Sequence, residues 1–134
     1  MDISQLNFVA ILFAAISRFA IGGLWYGPVF GSAWMTETGI TEEKARESNM
    51  AMVFGLTFIA SLVSALCLGL FIQLQSVSVL SGVLSGFVVG FAWVAMSLAT
   101  NDLFEQRSLK LFSINAGYHI VAFIVMGAII GVWP

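Results

Sequence analysis

Two ionisable side chains lie inside long apolar stretches of the sequence, and these residues have the clearest chemical potential. Arg18 is found in LFAAISRFAIGGLWYG, and His119, the only histidine, is found in NAGYHIVAFIVMG. Arginine is a permanent cation, whereas a neutral histidine can donate or accept a hydrogen bond. Ionisable groups inside membrane spans generally line ligand sites or proton paths. The pair therefore predicts a site for a polar or anionic group, with purely structural hydrogen bonding as the alternative interpretation.

Four apolar segments must position these residues. Of 134 residues, 60% are apolar and only 9% are charged, whereas soluble domains carry about 25% charged residues. No charge occurs between Glu47 and Asp102, and a membrane span needs about 20 apolar residues. The sequence predicts an all-α integral membrane protein, a bundle of four transmembrane helices. It forms a single domain over residues 1–134, with spans at 6–26, 50–73, 79–100 and 111–133.

The cations outside the spans predict the orientation of the bundle. They lie in two loops, residues 27–49 and 101–110, and none lies at either terminus or in the turn QLQSVS. Because cytoplasmic loops are enriched in Lys and Arg, both loops are expected in the cytoplasm and both termini outside, an N-out/C-out topology. Only Asp2 is charged before the first span, so this span is interpreted as a retained helix rather than a cleaved signal peptide.

The first loop is predicted to be partly helical. The stretch TEEKARE offers Thr41 as an N-cap and a Glu42–Arg46 pair at a spacing of four, both of which favour a helix. Because no Gly or Pro follows until Gly55, this helix is expected to continue into the second span. Three aromatic residues are expected in an interfacial belt at the cytoplasmic face, namely Trp25, Tyr26 and Trp34.

Helix geometry places several side chains at the depth of Arg18. At about 1.5 Å per residue, Arg18 lies about 12 Å from the cytoplasmic end of its span, and His119 and Trp93 lie equally deep in theirs. A neutral His119 could accept a hydrogen bond from Arg18, the Trp93 ring could form a cation–π contact, and Thr57 and Ser61 offer hydroxyls. The hypothesis is a ligand-binding layer whose members are Arg18, His119, Trp93, Asn115, Tyr118, Trp25 and Tyr26.

Each span also carries a row of small or polar residues at a spacing of four, which is one face of a helix. Glycines dominate these rows in the third and fourth spans. Small residues let helices approach closely in lipid, where hydrophobicity does not drive association. The rows predict a compact antiparallel bundle. Alternatively they predict a homo-oligomer, formed through Gly82, Gly86 and Gly90 or through Gly127 and Gly131.

The remaining features narrow the function classes. Cys67 is the only cysteine, and no cluster of His, Cys or carboxylates has the spacing of metal ligands, so neither a metal nor a cofactor is expected. The net charge of −2 provides no basic surface for nucleic acid. No nucleophile motif accompanies His119, so no catalytic residue is predicted and an enzyme is the least favoured class.

Three stretches resemble one protein family over essentially the whole chain. They are GGLWYGPVFGSAWM, GITEEKA and, most specifically, LKLFSINAGYHIVAFIVMGAIIGVWP, which look like the small bacterial membrane proteins of domain of unknown function 1761. The resemblance implies a multi-pass protein of the bacterial inner membrane with four spans, and it implies no activity. It also suggests that a few residues belong to the shared pattern of the family, namely Trp25, Tyr26, Asn115, Tyr118 and His119.

Two classes of function therefore remain. The first is a structural or interaction protein, or a helical bundle that binds lipid or a small polar or anionic ligand. The alternative is a transporter or channel subunit for a small solute or protons that uses Arg18 and His119. Transport is disfavoured because no span contains an acid and no proline interrupts a span to open the backbone.

Overall fold

Four long helices form the body of the molecule, and each is long and apolar enough to cross a membrane. The computed structural model describes residues 1–134 and is 84% helical without strands, which confirms the all-α, four-helix fold class. The orientation across a membrane stays a prediction. The helices, in chain order, are α1 (Phe8–Val29), α2 (Gly31–Thr38), α3 (Glu42–Glu47), α4 (Met50–Ile72), α5 (Val79–Phe104) and α6 (Leu109–Val132).

Each of the four long helices begins at a polar capping residue. Asn7, Asn49, Ser78 and Ser108 each use a side-chain oxygen to accept hydrogen bonds from the first turn of the helix that follows. Such caps satisfy backbone N–H groups that have no partner within the helix, and each contributes about 1 kcal/mol. The polar residues between the apolar segments therefore determine where the helices start.

The predicted continuation of the loop helix α3 into the second span was wrong. The Thr41 N-cap is confirmed, and the Glu42–Arg46 ion pair is present at 3.8 Å between exposed side chains. However, Ser48 is extended, with ψ 153°, and Asn49 caps a new helix. The Ser48 hydroxyl donates to the Ala45 carbonyl, and Asn49 Oδ1 accepts from the Met52 N–H. These local side-chain bonds to the backbone end α3, although neither Gly nor Pro is present.

The N-terminus, the C-terminus and the turn after α4 meet at one end of the bundle, which we call the terminus end. Asp2 N donates to Gln73 Oε1 at 2.9 Å, Gln73 Nε2 donates to Asp2 O at 3.0 Å, and Asn7 Nδ2 donates to Trp133 O at 3.3 Å. The opposite end, which carries α2, α3 and the turn between α5 and α6, is the loop end. The long helices thus alternate in direction, and α6 is the central helix that packs against the other three.

Glycines bring α5 and α6 into backbone contact. A Cβ atom added to Gly82 would fall on the Gly127 carbonyl oxygen, and one added to Gly86 would fall on the carbonyl oxygen of Phe123. Gly131 lies equally close to the carbonyl of Ser78. The close approach expected from the small-residue rows is therefore present within one chain, and a homo-oligomer through the same glycines stays a prediction.

Two π-helical segments interrupt the regular geometry of α1 and α5. The first covers Trp25–Val29 and contains Pro28, and the Phe30 N–H donates to the Trp25 carbonyl at 2.8 Å. The expectation that no proline lies within a span was therefore wrong for α1, which continues to Val29 because the wider turn accommodates a residue without an N–H. The second segment covers Val89–Ala95 in α5.

Candidate functional site

Arg18 is the centre of a polar layer that joins three helices. Its Nη1 donates to Ser64 Oγ on α4 at 2.6 Å, and its Nη2 lies 3.5 Å from Nδ1 of His119 on α6. The guanidinium also lies 5.2 Å from the centre of the Phe123 ring, a distance typical of cation–π contacts. The sequence therefore correctly placed Arg18 beside His119, and the ligand role of the pair stays a prediction.

No carboxylate neutralises Arg18. The two ion pairs of the protein, Arg46–Glu42 and Arg107–Glu105, both lie outside the four spanning helices. The guanidinium is therefore held by a hydroxyl, an imidazole and an aromatic ring, all of which are uncharged when the imidazole is neutral. A cation in a low-dielectric environment is normally paired with an opposite charge, so the layer carries a positive charge that the protein does not compensate.

A second polar group lies next to this layer, on its loop-end side. The Tyr26 hydroxyl donates to Asn115 Oδ1 at 2.7 Å, and the Tyr26 ring packs edge-on against Tyr118 with centroids 5.3 Å apart. The Tyr118 hydroxyl in turn donates to the backbone oxygen of Arg18 at 3.2 Å. The structure thus brings Tyr26, Asn115 and Tyr118 together with Arg18 and His119 in one connected set.

Trp25 and Tyr26 point into the bundle, and their place in an interfacial belt stays a prediction. Trp25 Nε1 donates inward to the Ile114 carbonyl at 2.8 Å, and its ring lies against Gly117. Both aromatic residues are half-buried between α1 and α6. The π-helical turn that starts at Trp25 accounts for this inward direction, because a wider turn changes the direction in which side chains leave the helix.

Trp93 takes no part in the layer. Its side chain is 55% exposed on the outer surface of the bundle and packs on Phe71, with centroids 5.4 Å apart. Phe123 provides the aromatic face that was expected from Trp93. Trp93 lies inside the π-helical segment of α5, which alters the angular position of residues relative to a regular helix, so depth alone did not predict its direction.

Sequence reasoning also missed Ser64. The depth argument pointed to hydroxyls near Thr57 and Ser61, but the Ser61 hydroxyl donates to the carbonyl of Thr57 at 2.9 Å, and Arg18 reaches Ser64 instead. Side chains in a helix tilt toward its N-terminus, which for Arg18 is the terminus end. This tilt was the available signal, since it moves the guanidinium about one turn deeper than its Cα atom.

A cavity of about 440 Å³ lies between α1 and α4 in the loop half of the bundle. Its volume is within the range of about 300–1,000 Å³ typical of small-molecule sites. Gly23 and Gly27 border it, and a Cβ atom added to either glycine would meet nothing within 4 Å. The wall is mostly apolar, with three hydroxyl-bearing residues at its inner side, and the lining residues used below are Phe19, Gly22, Gly23, Thr57, Tyr26 and Tyr118.

The terminus half of the bundle has no comparable space at its centre. A cluster of nine buried apolar residues from α1, α4 and α6 fills the region beyond Arg18 and includes Ala14, Ala65 and Met126, each with no exposed surface. Phe123 belongs to this cluster and also supports the Arg18 guanidinium. The polar layer is therefore bordered by the cavity on the side of the loop end and by a closely packed apolar cluster on the other.

The fold and the site together define a small multi-pass membrane protein, in which a polar layer joins three of the four long helices. The family model described as "Protein of unknown function (DUF1761)" matches residues 9–131, and the chain belongs to this family. A search of curated proteins found no match, and neither did a search of solved structures. The site residues come from both ends of the matched region, Trp25 and Tyr26 near its start and His119 near its end.

Proposed function

We propose that this protein binds a small apolar or lipid-like molecule in the cavity between α1 and α4. One observation carries the proposal: a cavity of about 440 Å³ adjoins the polar layer, and two residues of its wall, Tyr26 and Tyr118, are held by hydrogen bonds. An apolar cavity with a few fixed polar groups is the usual form of a small-molecule site. The hydrogen bonds of Tyr26 and Tyr118 fix the wall before a ligand arrives, which lowers the entropic cost of binding.

The packing of the terminus half favours binding over transport. A transported ion or proton needs a polar path from one side of the membrane to the other, and Arg18 and His119 supply only the middle of such a path. Beyond Arg18 the cluster around Ala14, Ala65 and Met126 is apolar and fully buried. A transporter would have to separate these helices in every cycle.

A purely structural role for the polar layer is the competing interpretation. Hydrogen bonds between membrane helices contribute about 0.6 kcal/mol on average and up to about 1.7 kcal/mol, so the bonds of Arg18 and Tyr26 are able to stabilise the bundle. That role does not account for the cavity between α1 and α4, because a structural contact would be improved by filling it. Binding accounts for both features.

The proposal includes a location and an orientation. The family resemblance supports the bacterial inner membrane, and the loop cations support a cytoplasmic loop end, where Lys44, Arg46, Arg107 and Lys110 lie. A reporter fused after Pro134 is expected to behave as extracytoplasmic, and a reporter inserted between α2 and α3 as cytoplasmic. A cytoplasmic C-terminus would contradict the orientation, and the loop half with its cavity would then lie toward the outer side.

The binding proposal is tested with two glycine substitutions. Gly23→Leu fills the cavity without meeting any atom near its Cβ, and Gly55→Leu is the matched control, because a Cβ at Gly55 also meets nothing within 4 Å and Gly55 does not line the cavity. Native mass spectrometry of protein purified in mild detergent would report the molecules that remain bound. We expect the parent and Gly55→Leu to retain a small molecule that Gly23→Leu loses. Identical spectra for all three proteins would contradict the proposal.

A further inference from the structure

The charge of Arg18 indicates the chemical class of the bound molecule. Within the four spanning helices the only acid is Asp102, at the loop end of α5, and it forms no ion pair with Arg18. The guanidinium has five N–H donors, and hydrogen bonds to Ser64 and His119 use only its Nη1 and Nη2 atoms. The Nε–H has no acceptor in the protein.

This free donor is not enclosed by the protein. Asp102 Oδ2 is the one enclosed side-chain nitrogen or oxygen atom in the molecule that lacks a hydrogen bond. The Nε atom of Arg18 therefore lies at an accessible surface of the bundle, where a molecule from outside the protein can reach it. In a membrane that molecule is a lipid, a ligand or a trapped water.

The cavity ends beside the backbone of Arg18, whose guanidinium lies deeper in the bundle and is not part of the cavity wall. Phe19, the following residue, and Gly22, one turn further along α1, both line it. Across the cavity, Thr57 on α4 also lines the wall, and its hydroxyl forms no hydrogen bond with the protein, whereas the hydroxyls of Tyr26 and Tyr118 are already engaged as donors. The Thr57 hydroxyl is therefore the donor in the wall that is free to meet a ligand, and the Arg18 guanidinium acts on the ligand through its charge from beyond the inner end.

We infer that the molecule bound in this cavity carries one anionic oxygen head group, a carboxylate or a phosphate, and that Arg18 supplies its counter-charge. This inference rests on the proposed binding function. A cation without a counter-ion in a low-dielectric region raises the local concentration of anions and strengthens their binding. An anion at the inner end of the cavity compensates the charge that the three helices leave unpaired, and a neutral molecule with the same tail does not.

The test compares three probes with one tail: octanoate, octyl phosphate and 1-octanol. Binding to the parent in mild detergent at pH 8 is measured as the rise of the thermal unfolding midpoint with probe concentration. The same titration of Gly23→Leu measures the part of each rise that does not depend on the cavity. We expect at least one anionic probe to bind the parent about tenfold more tightly than 1-octanol. This is the gain in affinity expected from the attraction of opposite unit charges roughly 10 Å apart at an effective dielectric constant of about 20.

The substitution Arg18→Gln should remove this preference while binding of 1-octanol remains, and Arg18→Lys should retain it because the charge is kept. Preference for octanoate alone supports a carboxylate head group, and preference for octyl phosphate alone supports a phosphate of the lipid type. Equal binding of all three probes by the parent overturns the inference and leaves the proposed function intact. Probes that bind the parent and Gly23→Leu equally overturn both. If Arg18→Gln does not fold, the comparison of charged and neutral probes on the parent still decides the question.

Discussion

In the terminus half of the bundle, backbone meets backbone, whereas in the loop half side chains separate the helices. Gly82 and Gly127 allow α5 and α6 to touch through their carbonyl groups, and no polar side chain is needed there. Near the loop end, Trp25 and Tyr26 bridge α1 to α6 by hydrogen bonds from their rings. Small residues thus bring α5 and α6 into direct contact, whereas hydrogen-bonded aromatic residues connect α1 to α6 beside a cavity, so one short chain contains both a closely packed region and a cavity.

The largest expected effect comes from breaking the glycine contact. Gly86→Leu places side-chain atoms on the Phe123 carbonyl, so α5 and α6 must separate along the contact. We expect the free energy of unfolding to fall by about 3 kcal/mol or more, the upper end of the cost of overpacking. Thermal unfolding in detergent measures the loss.

Gly55→Leu is the control for this substitution, because it adds the same side chain in α4 where a Cβ meets no other atom. It should leave the unfolding midpoint near that of the parent or raise it slightly, since Leu favours helix more than Gly does. Equal destabilisation by both substitutions would mean that the close contact of α5 with α6 is not what stabilises the terminus half.

A smaller effect is expected from breaking a hydrogen bond in the loop half. Tyr26→Phe removes the donor to Asn115 Oδ1 and leaves the ring in place, and Asn115→Leu removes the acceptor. A double-mutant cycle of the two should give a coupling free energy of about 0.5–1.5 kcal/mol, the range of interhelical hydrogen bonds in membranes. SDS titration measures each variant. A coupling near zero would mean that the bond does not hold the cavity wall.

The smallest effect concerns the terminus end and depends on pH. Hydrogen bonds from the side chain and backbone of Ser4 hold the pKa of the Asp2 carboxyl below its usual value of 3.8. Because the pKa is lower in the folded state, the ionised carboxylate adds stability above about pH 3.8, and this contribution is lost as the pH falls through the folded-state pKa. Asp2→Asn should therefore lower the unfolding midpoint slightly at pH 7. The difference from the parent should shrink below pH 3.8, and a constant difference would contradict the assignment.

The sequence was sufficient for the main features of the fold because they depend on composition and local geometry. The absence of charge from Glu47 to Asp102 predicts membrane helices, and the glycine spacing in the third and fourth spans predicts close approach. The sequence was not sufficient to predict which row packs against which, because any row of small residues can pack against any other. The contact of Gly82 with Gly127 is a property of the assembled bundle.

The candidate site was predicted only in part, for a related reason. Depth along a helix follows from residue counting, so the proximity of Arg18 and His119 could be anticipated. Direction around the helix depends on regular periodicity, and the π-helical segments at Trp25 and around Trp93 change it. The cavity itself depends on the separation of α1 and α4, which no pattern within one helix encodes. Ser64 was missed because the Arg18 side chain extends toward the N-terminus of α1, which moves its guanidinium away from the depth of its Cα atom.

We propose that the loop half admits a small molecule and that the terminus half does not. Cysteine alkylation tests this most directly, in a protein that carries the substitution Cys67→Ala and therefore has no cysteine of its own. Gly23→Cys places a thiol in the cavity, and Ser85→Cys places one at a site that is only 3% exposed in the terminus half. We expect N-ethylmaleimide to modify Gly23→Cys in the folded protein, more slowly when octanoate is present, and to modify Ser85→Cys only after unfolding in SDS. Equal rates for the two thiols in the folded protein, or an unreactive Gly23→Cys, would contradict the account.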